Sequence, residues 1–173
     1  IGLHHKQENL SEDTTLEDSR DLSAAFTAFM NSKDLFSNNL KQNTIPKDSL
    51  AYFTDIYFKS LSELPSIRFI QAFHASGTQK RVLLEQATNL YQELIQELED
   101  PNGLYYQFLS QTNYPPLLEQ SHYELAKLHL QSKQEDQAEL IFNKMQSKQR
   151  KLQQKHGYYL SRVWYHLGEI KTS

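Results

Sequence analysis

Val82, Leu83, Ala87, Leu90, Tyr91, Leu94, Ile95 and Leu98 recur at intervals of three and four residues, and the run stops at Asp100-Pro101-Asn102-Gly103. A helical side chain returns to the same face about every 3.6 residues, so this spacing draws one apolar stripe along one helix and leaves the far side polar. The other apolar segments follow the same helical period rather than the alternation of a half-buried strand. With only 5 Gly and 5 Pro to interrupt 173 residues, most of the chain has no reason to leave the helix. An all-helical protein is expected, and its length is within the range of a single domain with a substantial core.

The 18 basic and 21 acidic side chains leave a net charge of -3, so no global field recruits a polyanion or a membrane surface. Cysteine is absent from the sequence. That removes disulfides, thiolate nucleophiles and cysteine-ligated metal centres together, and leaves the redox compartment open. No apolar run approaches the roughly 20 residues needed to cross a bilayer, and Ile1 to Ser11 lack a signal-peptide profile. Membrane insertion is therefore not expected. A start at Ile1 and a stop at Ser173 are read as marking a piece of a longer polypeptide.

Residues 1–13 are polar with isolated leucines, a composition read as a flexible arm, and 14–173 as one helical domain. Thr14-x-x-Glu17 has the form of a capping box, predicting a helix to about Asn31, with a shorter one capped by Ser32 running to Leu40. Pro46 suits a first helical position, and Leu50, Phe53, Ile56, Tyr57 and Leu61 follow on one face. Leu64-Pro65-Ser66 is expected to end that helix and begin another carrying Ile67, Ile70, Phe73 and His74, closed by Gly77 in the left-handed conformation. After the 82–98 stripe come a short helix at 104–109, a redirection at Tyr114-Pro115-Pro116, and helices near 116–131, 134–154 and 157–170.

The last of these carries Trp164, Leu167 and Gly168 in the frame W-x2-L-G, and upstream Leu125, Ala126, Ala138, Phe142 and Met145 alternate small and large apolar positions. Small residues let two helices approach closely, and Ala126 and Ala138 are placed to face each other. On these residues the stretch 115–173 resembles the tetratricopeptide repeat family, with His122 and His129 where the motif commonly has tryptophan and tyrosine. The period from Ala126 to Gly168 is 42 residues, because the second helix is extended toward Lys155 and followed by Gly157. In this it is similar to the long repeats of kinesin light chains and of bacterial regulators of the maltose-activator class. The resemblance implies antiparallel helix pairs stacked as an α-solenoid in the C-terminal half, beside an irregular helical N-terminal part.

It also implies a concave wall formed by the first helix of each unit. The groove positions fall on Gln120, Tyr123, Lys127 and Gln131 in one unit and on Arg162, Tyr165 and Glu169 in the next. Tyrosines give rigid contact area, and a lysine or arginine can hold a carboxylate or carbonyl of an extended peptide. The paired lysine and asparagine clamp of chaperone-binding members is not reproduced.

Other patterns carry less. Lys144, Lys148, Lys151 and Lys155 form a cationic helical stripe, for which Glu85, Glu93, Glu97, Glu99 and Asp100 supply an acidic counterpart within the chain. No nucleic-acid reading motif accompanies it. His122 and His129 project from one side of a helix with Glu119 one turn before, but a di-iron bundle needs a second Glu-x-x-His unit. They read as core histidines, and neither a metal nor a cofactor is implied. G-x-S-x-G, H-E-x-x-H and phosphate-cradling loops are all missing, so no residue is nominated as catalytic.

The sequence thus points to an all-α, tetratricopeptide-like scaffold that binds a protein or peptide without catalysis. Its rivals are a sensing domain of a larger signalling or transcription-regulating protein, binding a small molecule or peptide, and an enzyme whose polar groups converge in a closed pocket.

Overall fold

A computed structural model describes residues 12–108, 116–152 and 160–172, with side chains over 21–108, 117–147 and 162–170. Seven α-helices are found among them: α1 (Glu12–Lys41), α2 (Leu50–His74), α3 (Gly77–Glu99), α4 (Leu104–Phe108), α5 (Pro116–Gln131), α6 (Glu135–Leu152) and α7 (Leu160–Thr172). The described residues contain no strand, and none of their helices is long and apolar enough to cross a membrane. Most of the expected arm, residues 1–11, lies outside the described residues, as do Leu109, the Tyr114-Pro115 turn, Lys155 and Gly157.

Two expected breaks are not breaks. Helix α1 is continuous through Ser32, whose hydroxyl donates to the Ala28 carbonyl (3.0 Å) within the helix instead of capping a new one. It begins at Glu12, placing Thr14 inside its first turn. Helix α2 is continuous through Pro65, although proline removes one backbone donor and crowds the carbonyl four residues earlier. Pro65 is buried with Leu61, Leu64 and Ile67, so tertiary packing overrides the local preference to stop. The hydroxyls of Ser62 and Ser66 donate to the carbonyls of Lys59 (2.7 Å) and Ser62 (3.2 Å), adding local bonds on either side of the proline.

The buried set of α2 also differs from the expected face. Thr54, Tyr57, Phe58, Leu61 and Leu64 are buried, whereas Phe53, Ile56, Ile70 and Phe73 are exposed. Helix α2 packs against α1, α3, α4 and α5, so its buried side is wide and no narrow stripe describes it.

Helix ends follow local chemistry. Asn43 adopts a positive φ of 52°, with its N–H donating to Leu40 and that of Thr44 to Asn39, a Schellman closure of α1. Lys133 (φ 59°) repeats it after α5, with Gln134 N–H bonded to the His129 carbonyl at 2.8 Å. Pro46 immediately precedes a single 3-10 turn, Lys47–Ser49, rather than opening α2 directly. Gly77 is left-handed as expected (φ 54°), but it stands at the start of α3, three residues after α2 has ended. Asp100 closes the turn after α3 by accepting from the Asn102 N–H (2.9 Å), and α4 follows.

Successive helices pack in order: α1 on α2, α2 on α3, α3 on α5, α5 on α6 and α6 on α7. They enclose two cores. The larger gathers Phe36, Tyr57, Phe58, Leu61, Leu64, Leu84, Tyr91, Leu94, Leu98 and Tyr105 with Leu118, Leu125 and Leu128 of α5. In the smaller, Tyr123 and Ala126 of α5 meet Ala138, Phe142 and Met145 of α6 and Val163 and Leu167 of α7. Helix α5 faces both, and the two alanines expected to meet share the second core, each without exposed surface.

Candidate partner-binding surface

Residues 123 and 166 are separated by more than forty positions yet meet where α5 and α7 both border the smaller core. The Tyr123 hydroxyl lies 3.3 Å from His166 Nε2, and His166 Nδ1 lies 3.1 Å from Glu169 Oε2. A carboxylate can only accept, so Nδ1 carries the proton, Nε2 accepts from the Tyr123 hydroxyl, and the chain of donors runs from Tyr123 through His166 to Glu169. Tyr165 also donates to Glu169, and that bond holds its phenol above the usual tyrosine range. The His166 ring stacks on Phe142 at 5.5 Å and 8°, and Tyr123 packs against both rings.

The expected groove residues therefore divide. Tyr123 is only 4% exposed and links α5 to α7 through His166, rather than standing as a contact presented to solvent. Lys127 is half-buried, its ammonium 2.8 Å from Glu124 and 5.4 Å from the centre of the Tyr123 ring. Gln120 and Gln131 lie on the exposed part of α5, and Arg162, Tyr165 and Glu169 on that of α7. Tyr165 is 64% exposed and Trp164 beside it 56%, so flat aromatic area faces outward on α7, the helix that also exposes Arg162 and Glu169. Sequence reasoning missed His166 and Glu124. The signal for His166 was its spacing of three residues from Glu169 on one helix.

A second polar cluster lies where α3, α5 and α6 meet. His122 Nδ1 donates to the Leu118 carbonyl (2.9 Å), which turns Nε2 toward Glu99 at 3.6 Å, and Lys144 reaches the same carboxylate at 3.3 Å. The basic stripe of α6 thus finds part of its expected acidic counterpart within the chain. The side chains of Lys148 and Lys151 lie outside the described residues. His129 bonds through Nδ1 to the Gln134 side chain (2.7 Å), and both His122 and His129 are buried by packing. His74 is exposed at the far end of α2, so the three histidines do not surround one cavity. Among the described residues no group of three or more histidine, aspartate or glutamate side chains is placed to hold a metal ion.

No protein-family model, curated protein or solved structure matches the chain.

Proposed function

We propose that the protein is a tetratricopeptide-like binding module whose α5–α7 surface holds an extended peptide segment of a protein partner, with no catalytic step of its own. The observation that supports this is the junction of Tyr123 with His166, a contact between the two helices that carry the proposed groove positions. Trp164 and Tyr165 offer ring area at low entropy cost, while Lys127 and Glu169 supply charge-assisted bonds to a peptide backbone or termini. The Tyr123–His166–Glu169 chain is read as a brace because its phenol lies beneath other rings rather than open to a substrate. A surface fixed in this way leaves most of the ordering cost to the incoming segment.

Peptides selected on the folded protein from a random library test the reading. Lys127→Ala combined with Tyr165→Ala is expected to weaken the selected peptides at least tenfold, while Phe73→Ala, exposed on α2, leaves them unchanged. Selected peptides that bind the double variant as well as the parent overturn the assignment.

A further inference from the structure

A cleft of about 500 Å³ opens between the C-terminal turns of α1 and the N-terminal turns of α2. Phe36 and Tyr57 stack at 4.5 Å and 22° in its lining, and Leu35, Ile45, Phe53 and Ile56 line it with them. Thr44, Ile45 and Pro46, in the connection between the two helices, line the same space. Leu35 is 63% exposed, and Phe53 and Ile56 are also exposed, so apolar surface is left in water along the rim.

The chemistry of this lining selects a ligand class. Among the described residues no aspartate, glutamate, lysine, arginine or histidine takes part in it. The one acid–base group is Tyr57, whose phenol burial and the neighbouring Glu97 carboxylate push well above the ordinary tyrosine range, so it stays uncharged. An ion entering the cleft would lose water without meeting a countercharge. Two polar groups stand ready in the wall. The Asn39 carboxamide oxygen is occupied by the Thr44 hydroxyl (3.2 Å), but among the described residues neither its NH2 group nor the Ser60 hydroxyl has a hydrogen-bond partner. Both can donate a hydrogen bond. Size, apolar walls and a small number of polar groups in the lining are the usual attributes of a small-molecule site.

We infer that the α1–α2 cleft binds an uncharged, largely apolar small molecule carrying a hydrogen-bond acceptor, a hydroxyl or carbonyl, directed at Asn39 and Ser60. The site shares no residue with the α5–α7 surface, so either assignment can fail alone.

The test titrates the full chain with N-phenyl-1-naphthylamine, a neutral apolar fluorophore, then displaces it with dodecan-1-ol or dodecanoate. A saturable, one-to-one rise in fluorescence is expected, with displacement at least fivefold more effective for the alcohol than for the carboxylate. Ile56→Asp, placing a charge on the rim, should weaken dye binding at least tenfold, while Phe73→Asp at the other end of α2 leaves it intact, both with unchanged circular dichroism. Should Ile56→Asp reduce helicity, Leu35→Ala serves instead, since that side chain is already mostly in water, and a threefold or greater loss is expected. Non-saturable binding, equal displacement by dodecanoate, or an unaffected rim variant overturns the proposal. So does sedimentation showing a dimer that Ile56→Asp dissociates, which would make a second copy the occupant.

Discussion

Around Phe58 and Leu98, helices meet through long side chains. Leucines, tyrosines and phenylalanines from α1 to α5 fill the space, with edge-on ring contacts such as Phe58 on Tyr105 at 5.1 Å. Around Ala126 and Ala138, three helices meet on a smaller cluster in which two positions are alanine and Tyr123 and Phe142 pack against His166. The first core gains stability mainly from apolar area removed from water. The second depends more on close approach and on a hydrogen-bonded brace, because among the described residues it has fewer large side chains to bury. Regions built in this second way are sensitive to shape. Helix α5 supplies a face to each, and so couples a bulk-stabilised body to a fitted surface.

The strongest way to break this comparison is Phe142→Ala. Removing a side chain with no exposed surface should cost about 3–5 kcal/mol. Amide hydrogen exchange should show the loss concentrated in α6 and α7, with α1 to α3 still protected. Uniform loss of protection would mean that the two cores unfold as one.

Shape sensitivity comes next. Ala138→Leu should destabilise by about 1–3 kcal/mol through overpacking, whereas the near-isosteric Leu94→Met in the larger core should cost less than about 1.5 kcal/mol. Denaturant midpoints at constant m-value measure both, and the reverse order would remove the distinction.

Tyr123→Phe isolates the brace. It keeps the ring and deletes the hydroxyl that donates to His166, for an expected loss of about 0.5–1.5 kcal/mol. A double-mutant cycle with His166→Phe should recover that coupling, and a coupling of zero would show that ring stacking alone joins α5 to α7.

The smallest effect concerns the larger core. Glu97 lies 3.2 Å from the Tyr57 hydroxyl, and burial raises its carboxyl from the ordinary value of 4.5, although Lys33 and the Tyr57 bond pull the other way. A carboxyl raised on folding contributes stability that is fully present below its unfolded value and is lost as pH rises through the folded one. Glu97→Gln should therefore melt slightly above the parent near neutral pH and draw level with it at about pH 4. A gap that widens on acidification would contradict the burial argument.

How much of this was legible depended on how local each cause is. The α3 stripe transferred almost intact, because Ala87, Tyr91, Leu94, Ile95 and Leu98 repeat at the helical period and are all buried, whereas Val82 at its start is exposed. Helix α2 was misread at Pro65 and along its face, since what surrounds a helix on several sides is not written in its own periodicity. At the candidate surface, sequence placed Tyr123 among solvent-facing contacts, but its residue type suits a buried ring with one polar end equally well. Which role it plays depends on His166, forty-three positions away.

From residue order alone follow most of the helices, the turn at Asp100 and the burial of Ala126 and Ala138, because period, turn residues and side-chain size act over a few bonds. The continuity of α1 and α2, the two faces of α5, the Tyr123–His166–Glu169 brace and the α1–α2 cleft were decided only by tertiary structure. Each of these rests on side chains brought together from distant segments, where burial outweighs local preference and local spacing carries no record of the partner.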